Sequence, residues 1–317
     1  MKIYDLCLIW EWQYDADFVT LLEAACKERG ISFVQIHPGN LDTVFPELIN
    51  GKVFFRALLD RASDSHPRFL PLAQWARGQA LYRYNSFELA RRAWDKAIIH
   101  EVFNQAGLLT PATIVLPPFL EQAVLEEEDL GVVGCPFSIK PAHGGGGKGV
   151  IPLAYDWDQV LKARQEYPDD KYLLQAYVSP IYLQERPAWF RIIYCLGEIL
   201  LHWWDPATHV YTPLTIEDEN CYGLEPLREI TGAIARLSNL DLFSTEIAYP
   251  IDGSFVIIDY INDPIDLRLQ SNTFEGVPDA TVKRIVERIA SHAAAILTNV
   301  EICEGEVQTQ DADEKIE

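Results

Sequence analysis

Lys140 and Pro141 close a short apolar run and are followed at once by Gly144, Gly145, Gly146 and Gly147, then Lys148 and Gly149. Glycines let a backbone approach a polyphosphate closely and turn several N–H groups toward it, while a lysine at a strand end adds a fixed positive charge. The stretch therefore reads as a phosphate-binding flap. It is not a P-loop, because Gly149 stands where Ser or Thr is required. Nor is it a dinucleotide fingerprint, because the strand-like Val150-Ile-Pro-Leu follows where a helix would have to start. A bare glycine run is ordinarily a surface loop; the order strand, Lys-Pro, glycines, strand separates the two readings.

Further along, Glu246 on one strand-like segment and Asp259 and Asn262 on the next form the oxygen-rich set that Mg2+ prefers. The two segments are joined at Asp252-Gly253, a strong hairpin signal. An acid in a strand ordinarily marks its solvent side. Asp259, however, follows the apolar run Phe255-Val-Ile-Ile258 and so ends a buried strand, where an unpaired charge is costly. Strict alternation places residues 259 and 262 on opposite faces, so either a bulge intervenes or Asp263 takes the place of Asn262. Arg191, inside Trp189-Phe-Arg-Ile-Ile, needs an anionic partner, either a bound phosphate or a structural acid. His143, at the foot of the glycine run, is either a phosphate contact or an ordinary loop histidine.

The elements that must carry these residues follow from periodicity. Residues 3–10, 31–36 and 52–58 read as strands, with helices over 18–29 and 44–49 between them, the pattern of a parallel sheet. A helix over 88–105, a strand after Pro111, a helix over 121–128, the flap, a helix near 157–166 and a strand over 172–178 come next. Hairpin-like strands over 190–196 and 198–204, a helix over 224–237, the 243–261 hairpin and a helix over 281–297 complete the chain. The expected domains are 1–87, 88–178, 179–300 and a disordered acidic tail over 301–317 that carries seven acids and one lysine.

Residues 88–270 resemble the ATP-grasp superfamily, whose members include carboxylate-amine ligases such as D-alanine:D-alanine ligase and glutathione synthetase. The Asp95-Lys96 pair, opening a helix that ends in Gln105-Ala-Gly-Leu-Leu-Thr-Pro111, is similar to one motif of that family, and Phe137-Ser-Ile-Lys140-Pro141 to another. The fold class that the resemblance implies is α/β: an N-terminal parallel-sheet (pre-ATP-grasp) domain followed by an ATP-grasp fold of two α+β subdomains. It also implies that Lys96 and Lys140 contact ATP phosphates and that Arg191 lies near the transferred phosphate. Gln175, Ala176, Tyr177 and Val178 would form a strap that reads adenine through main-chain groups, and Glu185 would meet the ribose hydroxyls. Glu246, Asp259 and Asn262 would hold Mg2+, although the family's last two ligands are spaced acid-x-Asn and here one more residue intervenes.

The chemistry implied is attack of a substrate carboxylate on the γ-phosphorus, then displacement of phosphate from the acyl phosphate by an amine. Asp263-Pro-Ile-Asp-Leu-Arg268 would line the acceptor side, with Arg268 gripping a carboxylate and Asp266 an amine, or the two forming a salt bridge with each other. A small-molecule kinase on the same fold and a non-catalytic nucleotide-binding scaffold are the competing readings. The net charge of −21, from 26 basic and 47 acidic residues, argues against binding nucleic acid. No apolar stretch reaches membrane-spanning length, and a cytoplasmic protein, dimeric by the general prior for such enzymes, is expected. Six cysteines without a C-x-x-C pair indicate neither zinc nor a disulfide framework.

Overall fold

The computed structural model describes residues 1–125 and 130–313, with side chains through residue 297. The chain divides into two units, residues 1–87 with 266–317, and residues 88–265.

In the first unit, β1 (Lys2–Trp10), α1 (Ala16–Glu28), β2 (Phe33–Ile36), α2 (Leu41–Ile49), β3 (Val53–Arg61), α3 (Leu70–Arg77) and β4 (Tyr82–Tyr84) follow one another. All strand pairs are parallel, in the order β2-β1-β3-β4. Leu6 to Ile9 of β1 are fully buried, as a parallel strand covered on both faces requires. Helix α1 turns Phe18, Val19, Leu22, Ala25 and Cys26 inward at three- and four-residue spacing. The sequence pattern did not disclose α3 or β4; β4 has only three residues, too few for a period to register.

The second unit opens with α4 (Phe87–Trp94) and α5 (Lys96–Gln105), where a single helix over 88–105 is expected. The break falls at Asp95, whose backbone is extended and whose carboxylate accepts from the N–H groups of Ala97 and Ile98. This cap makes Lys96 the first helical residue, and the Lys96 N–H donates to the Ala142 carbonyl at 3.0 Å. Strands β5 (Thr113–Leu116), β6 (Phe137–Pro141) and β7 (Ile151–Ala154), helix α6 (Trp157–Ala163) and strand β8 (Tyr172–Ala176) build an antiparallel sheet ordered β5-β8-β6-β7. The helix expected over 121–128 is not formed as far as Leu125, and its remainder lies outside the described residues.

Strands β9 (Tyr182–Leu183) and β10 (Arg186–Pro187) pair alone. Strands β11 (Trp189–Cys195), β12 (Glu198–Asp205) and β13 (Val210–Pro213), helices α7 (Ile216–Tyr222) and α8 (Pro226–Ser238), and strands β14 (Leu242–Ala248) and β15 (Val256–Asn262) follow. The five strands form an antiparallel sheet ordered β13-β12-β11-β14-β15. One face of it packs Phe190, Ile192, Leu201, Trp203, Phe243 and Ile247 into a core with α5 and α8.

From Asp266 the chain belongs to the first unit and not to the unit expected over 179–300. Its last helix, α9 (Asp279–Asp313), packs Val282, Ile285, Val286, Ile289, Ala290 and Ala293 inward and lies against α1 and β1. That apolar stripe is what assigns the segment. The tail expected to be disordered over 301–317 is instead helical as far as Asp313, at the end of α9, and residues 314–317 lie outside the described residues. Among the described residues no helix is long and apolar enough to cross a membrane.

The cap at Asp95 yields a direct test. Asp95→Ala should lower stability by about 1–2 kcal/mol, read as an earlier urea midpoint, and Asp95→Asn should recover most of the loss because its side-chain oxygen still caps α5.

Candidate nucleotide and metal site

The site is built on the face of the five-stranded sheet opposite its core. Arg191 of β11 stands directly across from Glu246 of β14 and from His202 of β12, and Glu246 stands across from Asp259 of β15. Directly opposed residues project to one face, so a cation and two acids lie side by side. Arg191 donates to Glu246 Oε1 at 2.9 Å, and Trp189 Nε1 donates to Glu246 Oε2 at 3.0 Å. The Arg191 guanidinium lies 4.7 Å from the ring centre of Trp204 and 5.7 Å from that of Tyr211. Two rings of the aromatic stretch from His202 to Tyr211 thus flank an arginine. His202 itself is buried, and burial pulls its pKa down to about 4 against the hydrogen bonds of neighbouring backbone, so the ring is neutral.

Strand β15 departs from regular pairing twice. Ser244 pairs with Asn262 and Glu246 with Asp259, two steps on β14 against three on β15. Ile247 then pairs with Ile257, one step against two. These bulges put Ser244, Glu246, Asp259 and Asn262 on one face, and Asn262 Nδ2 donates to Asp259 Oδ2 at 2.8 Å. The bulge required by the Asp259-x-x-Asn262 spacing is therefore present. The shifted backbone also presents carbonyls to side chains: Ile258 O accepts from Lys140 Nζ at 3.1 Å, and Asp259 O from Thr245 Oγ1 at 3.1 Å.

Lys140 reaches this point from β6, in the other sheet. Burial pulls its ammonium below the usual lysine range, and the charges of Asp259 and Glu246 oppose that shift. Glu246 is pushed up, first by burial; Arg191 counters that shift, while the neighbouring Asp259 charge adds to it. The two acids face each other across the strands, an arrangement that calls for further positive charge. Among the described residues no three His, Cys, Asp or Glu side chains converge as a metal cage. Two carboxylates and one amide oxygen do lie together, which fits Mg2+, a cation that takes one or two carboxylates and completes its shell with phosphate and water oxygens.

The flap runs between β6 and β7, with Gly144, Gly146, Gly147 and Gly149 all at positive φ. A Cβ at Gly149 would meet Tyr167 Cε2 at 2.5 Å, so only glycine fits there. Lys96 Nζ donates to the Gly144 carbonyl at 2.6 Å, which joins the first residue of α5 to the flap. At the flap's foot, the His143 N–H and Nδ1 each lie 2.8 Å from the Asp170 carboxylate. Asp95 Oδ2 lies 3.5 Å from Lys171 Nζ and 3.9 Å from His143 Nε2. Sequence reasoning missed Asp170 and Lys171 because their partners are 27 and 76 residues away, and it missed Trp189 and Ser244 because nothing marks a strand tryptophan or serine as holding a carboxylate or guanidinium.

Gln175 and Ala176 end β8, and the Ala176 N–H donates to Ala112 O at 2.8 Å; Tyr177 and Val178 continue outside the strand. Glu185 is exposed in the two-residue turn of the β9–β10 hairpin, with Gln184 and Glu185 both at positive φ. Arg268 and Asp266 lie in the first unit, whereas Glu246, Asp259 and Asn262 lie in the second. Arg268 and Asp266 hold each other at 2.6 Å, and the Arg268 guanidinium lies 5.5 Å from the Trp12 ring centre and 5.9 Å from that of Tyr14. Of the two roles left open for this pair, the structure contains the salt bridge.

The architecture is the ATP-grasp fold. D-alanine–D-alanine ligase from Bacillus anthracis, complexed with ATP, superposes with a TM-score of 0.65 at 12% identity, over 94% of this chain and 99% of that one. A RimK-domain ATP-grasp protein from Sphaerobacter thermophilus gives 0.60 at 20% identity, over 90% and 98%. The ATP-grasp ligase PsnB, complexed with a precursor peptide and AMPPNP, gives 0.60 at 14% identity, over 93% and 98%. No family model matches the sequence, and no curated protein sequence matches it.

The His143–Asp170 pair makes the flap's anchorage depend on pH. The His143 pKa is raised, first by its hydrogen bond to Asp170, so its contribution is complete below the ordinary histidine value of 6.5 and is lost as pH rises through the raised one. Burial alone would raise the Asp170 pKa, but the bonds from His143 and Lys171 lower it below 3.8, so its contribution is present above that value and is lost as pH falls through the lowered one. Limited proteolysis at residues 144–149 should therefore be slower near pH 6 than near pH 9 (about one charge state apart for the imidazole), after correction for the protease's own pH profile. Asp170→Asn should remove that difference.

Proposed function

We propose that the protein is an ATP- and Mg2+-dependent ligase that joins a carboxylate to an amine through an acyl phosphate. The observation that carries this reading is the convergence of Arg191, Glu246, Asp259 and Asn262 on one sheet face, with the Lys140 ammonium bonded to the same bulged strand. A pure adenine binder has no need of Arg191 and Lys140 set beside two half-buried acids. The ATP-grasp fold and the nucleotide-bound neighbours support the assignment of ATP.

In this reading Glu246, Asp259 and Asn262 hold Mg2+, and Lys140, Lys96 and Arg191 hold phosphate oxygens. When bound, Mg2+ supplies neutralisation of the polyphosphate. Arg191 is suited to its part because the rings of Trp204 and Tyr211 fix its plane before any anion arrives, so little reorganisation remains at the moment of reaction. Residues 144–149 close over the phosphates and keep water from the acyl phosphate, and Gln175, Ala176, Tyr177 and Val178 hold adenine through main-chain groups. Glu185 is assigned to the ribose. The neighbour PsnB is complexed with a precursor peptide, which supports testing peptides alongside small carboxylates and amines.

The test is ADP release across a panel of carboxylates and amines, with hydroxylamine as a trap. A hydroxamate that forms only with ATP and Mg2+ is the expected result, and Lys140→Met should lower the rate by roughly 100-fold or more. A stable phosphorylated product with no hydroxamate would replace the ligase with a kinase. In thermal unfolding, a non-hydrolysable ATP analogue at about 100 times its Kd should stabilise the wild type by roughly 2.7 kcal/mol, and the mutant by far less.

A further inference from the structure

Tyr260 lies between Asp259 and Asn262, inside the first bulge of β15. In a regular strand one of the two residues between them would turn to the functional face; here Tyr260 and Ile261 are both buried, at 2% and 8% exposure. The Tyr260 ring packs edge-on against Phe103 of α5 at 5.5 Å and stacks near His100 at 5.9 Å. Its hydroxyl is met by Gln175 Nε2 at 2.7 Å and by His100 Nδ1 at 2.7 Å.

Each of those partners is itself fixed. Gln175 is 2% exposed, and its Nε2 also donates to Thr113 Oγ1 at 3.1 Å. Asn104 Nδ2 donates to His100 Nε2 at 2.8 Å, and Asn104 Oδ1 accepts from Thr110 Oγ1 at 2.9 Å. With Nε2 accepting, the ring proton sits on Nδ1 and is given to Tyr260, and burial favours this neutral imidazole. One hydroxyl therefore joins β15, α5 and β8 in a network whose members leave little freedom to one another.

Two bulges in succession are not specified by the backbone ladder alone, since a strand can slip its register where side chains do not hold it. The Tyr260 hydroxyl supplies that hold from beneath, directly between the two side chains that must share a face. The same hydroxyl grips Gln175, and the next residue, Ala176, ends β8 where the strap begins. We propose that Tyr260 is a positioning residue that fixes the Asp259–Asn262 bulge and ties it to the adenine strap through Gln175, so that Mg2+ and nucleotide bind cooperatively through this one group. The inference rests on the nucleotide and metal assignments of the proposed function.

The experiment is calorimetric titration of the full chain with AMPPNP, once in EDTA and once in saturating Mg2+, for the wild type, Tyr260→Phe and Gln175→Met, with folding checked by circular dichroism. Mg2+ should tighten wild-type binding; in Tyr260→Phe that factor should fall by about fivefold or more, while metal-free affinity stays within about twofold. Gln175→Met, which cuts the tie from the strap side, should lower the factor as well, whatever it does to the metal-free affinity. A merely structural role would weaken binding equally with and without metal. A folded Tyr260→Phe that keeps the wild-type factor overturns the proposal, and if that variant does not fold, the same result in Gln175→Met does so. A wild type that binds no AMPPNP under either condition overturns the proposed function and takes this inference with it, an outcome distinct from preserved coupling.

Discussion

Burial of the Lys140 ammonium sets the terms for the rest of the second unit. An isolated ammonium in such a place would lose far more hydration than one hydrogen bond to Ile258 O can return. Burial pulls its pKa down, and the nearby charges of Asp259 and Glu246 oppose that shift. Those acids, set side by side across β14 and β15, in turn need Arg191 and Lys140 near them. Neither the cations nor the acids are tolerable alone, and removing one would strand the others. Two sheets must therefore deliver side chains to one place, β6 from one and β11, β14 and β15 from the other.

That mutual dependence also explains the second tier of contacts. Trp189 takes one oxygen of Glu246 and Arg191 the other, so the carboxylate cannot rotate to find a different partner. Arg191 is flanked by the Trp204 and Tyr211 rings, which provide attraction without competing for its donors. In the proposed function such groups prepare charge for a polyanion.

The sequence disclosed the parallel sheet of the first unit because β1 and β3 are long and buried on both faces, which leaves continuous apolar runs. It disclosed a glycine loop between two strands because apolar runs flank the four glycines on both sides. Periodicity did not disclose the break between α4 and α5, because the apolar pattern runs on through Asp95; the resemblance, in which Asp95-Lys96 opens a helix, did, and the extended backbone at Asp95 agrees with it. Nor did the sequence place the segment from Asp266 with the first unit, because a helix's apolar stripe says that it packs but not against what. The need for a bulge at Asp259-x-x-Asn262 was readable from parity, yet its fastening by Tyr260 to Gln175 and His100 was not, since those partners lie 85 and 160 residues away.

The paired bulges of β15 have an evolutionary consequence. From Ser244 to Ala248 the strand β14 advances four residues while β15 advances six, from Asn262 back to Val256. Two surplus residues restore the phase that one would invert, so Ile257 and Val256 meet Ile247 and Ala248 as they would in an unbroken ladder. Lineages of this fold can therefore lengthen or shorten the strand by two residues with the core undisturbed, whereas a single insertion or deletion would turn the far half of the strand inside out. A chain that carries the longer form will also be passed over by any pattern that insists on one residue between the acid and the asparagine.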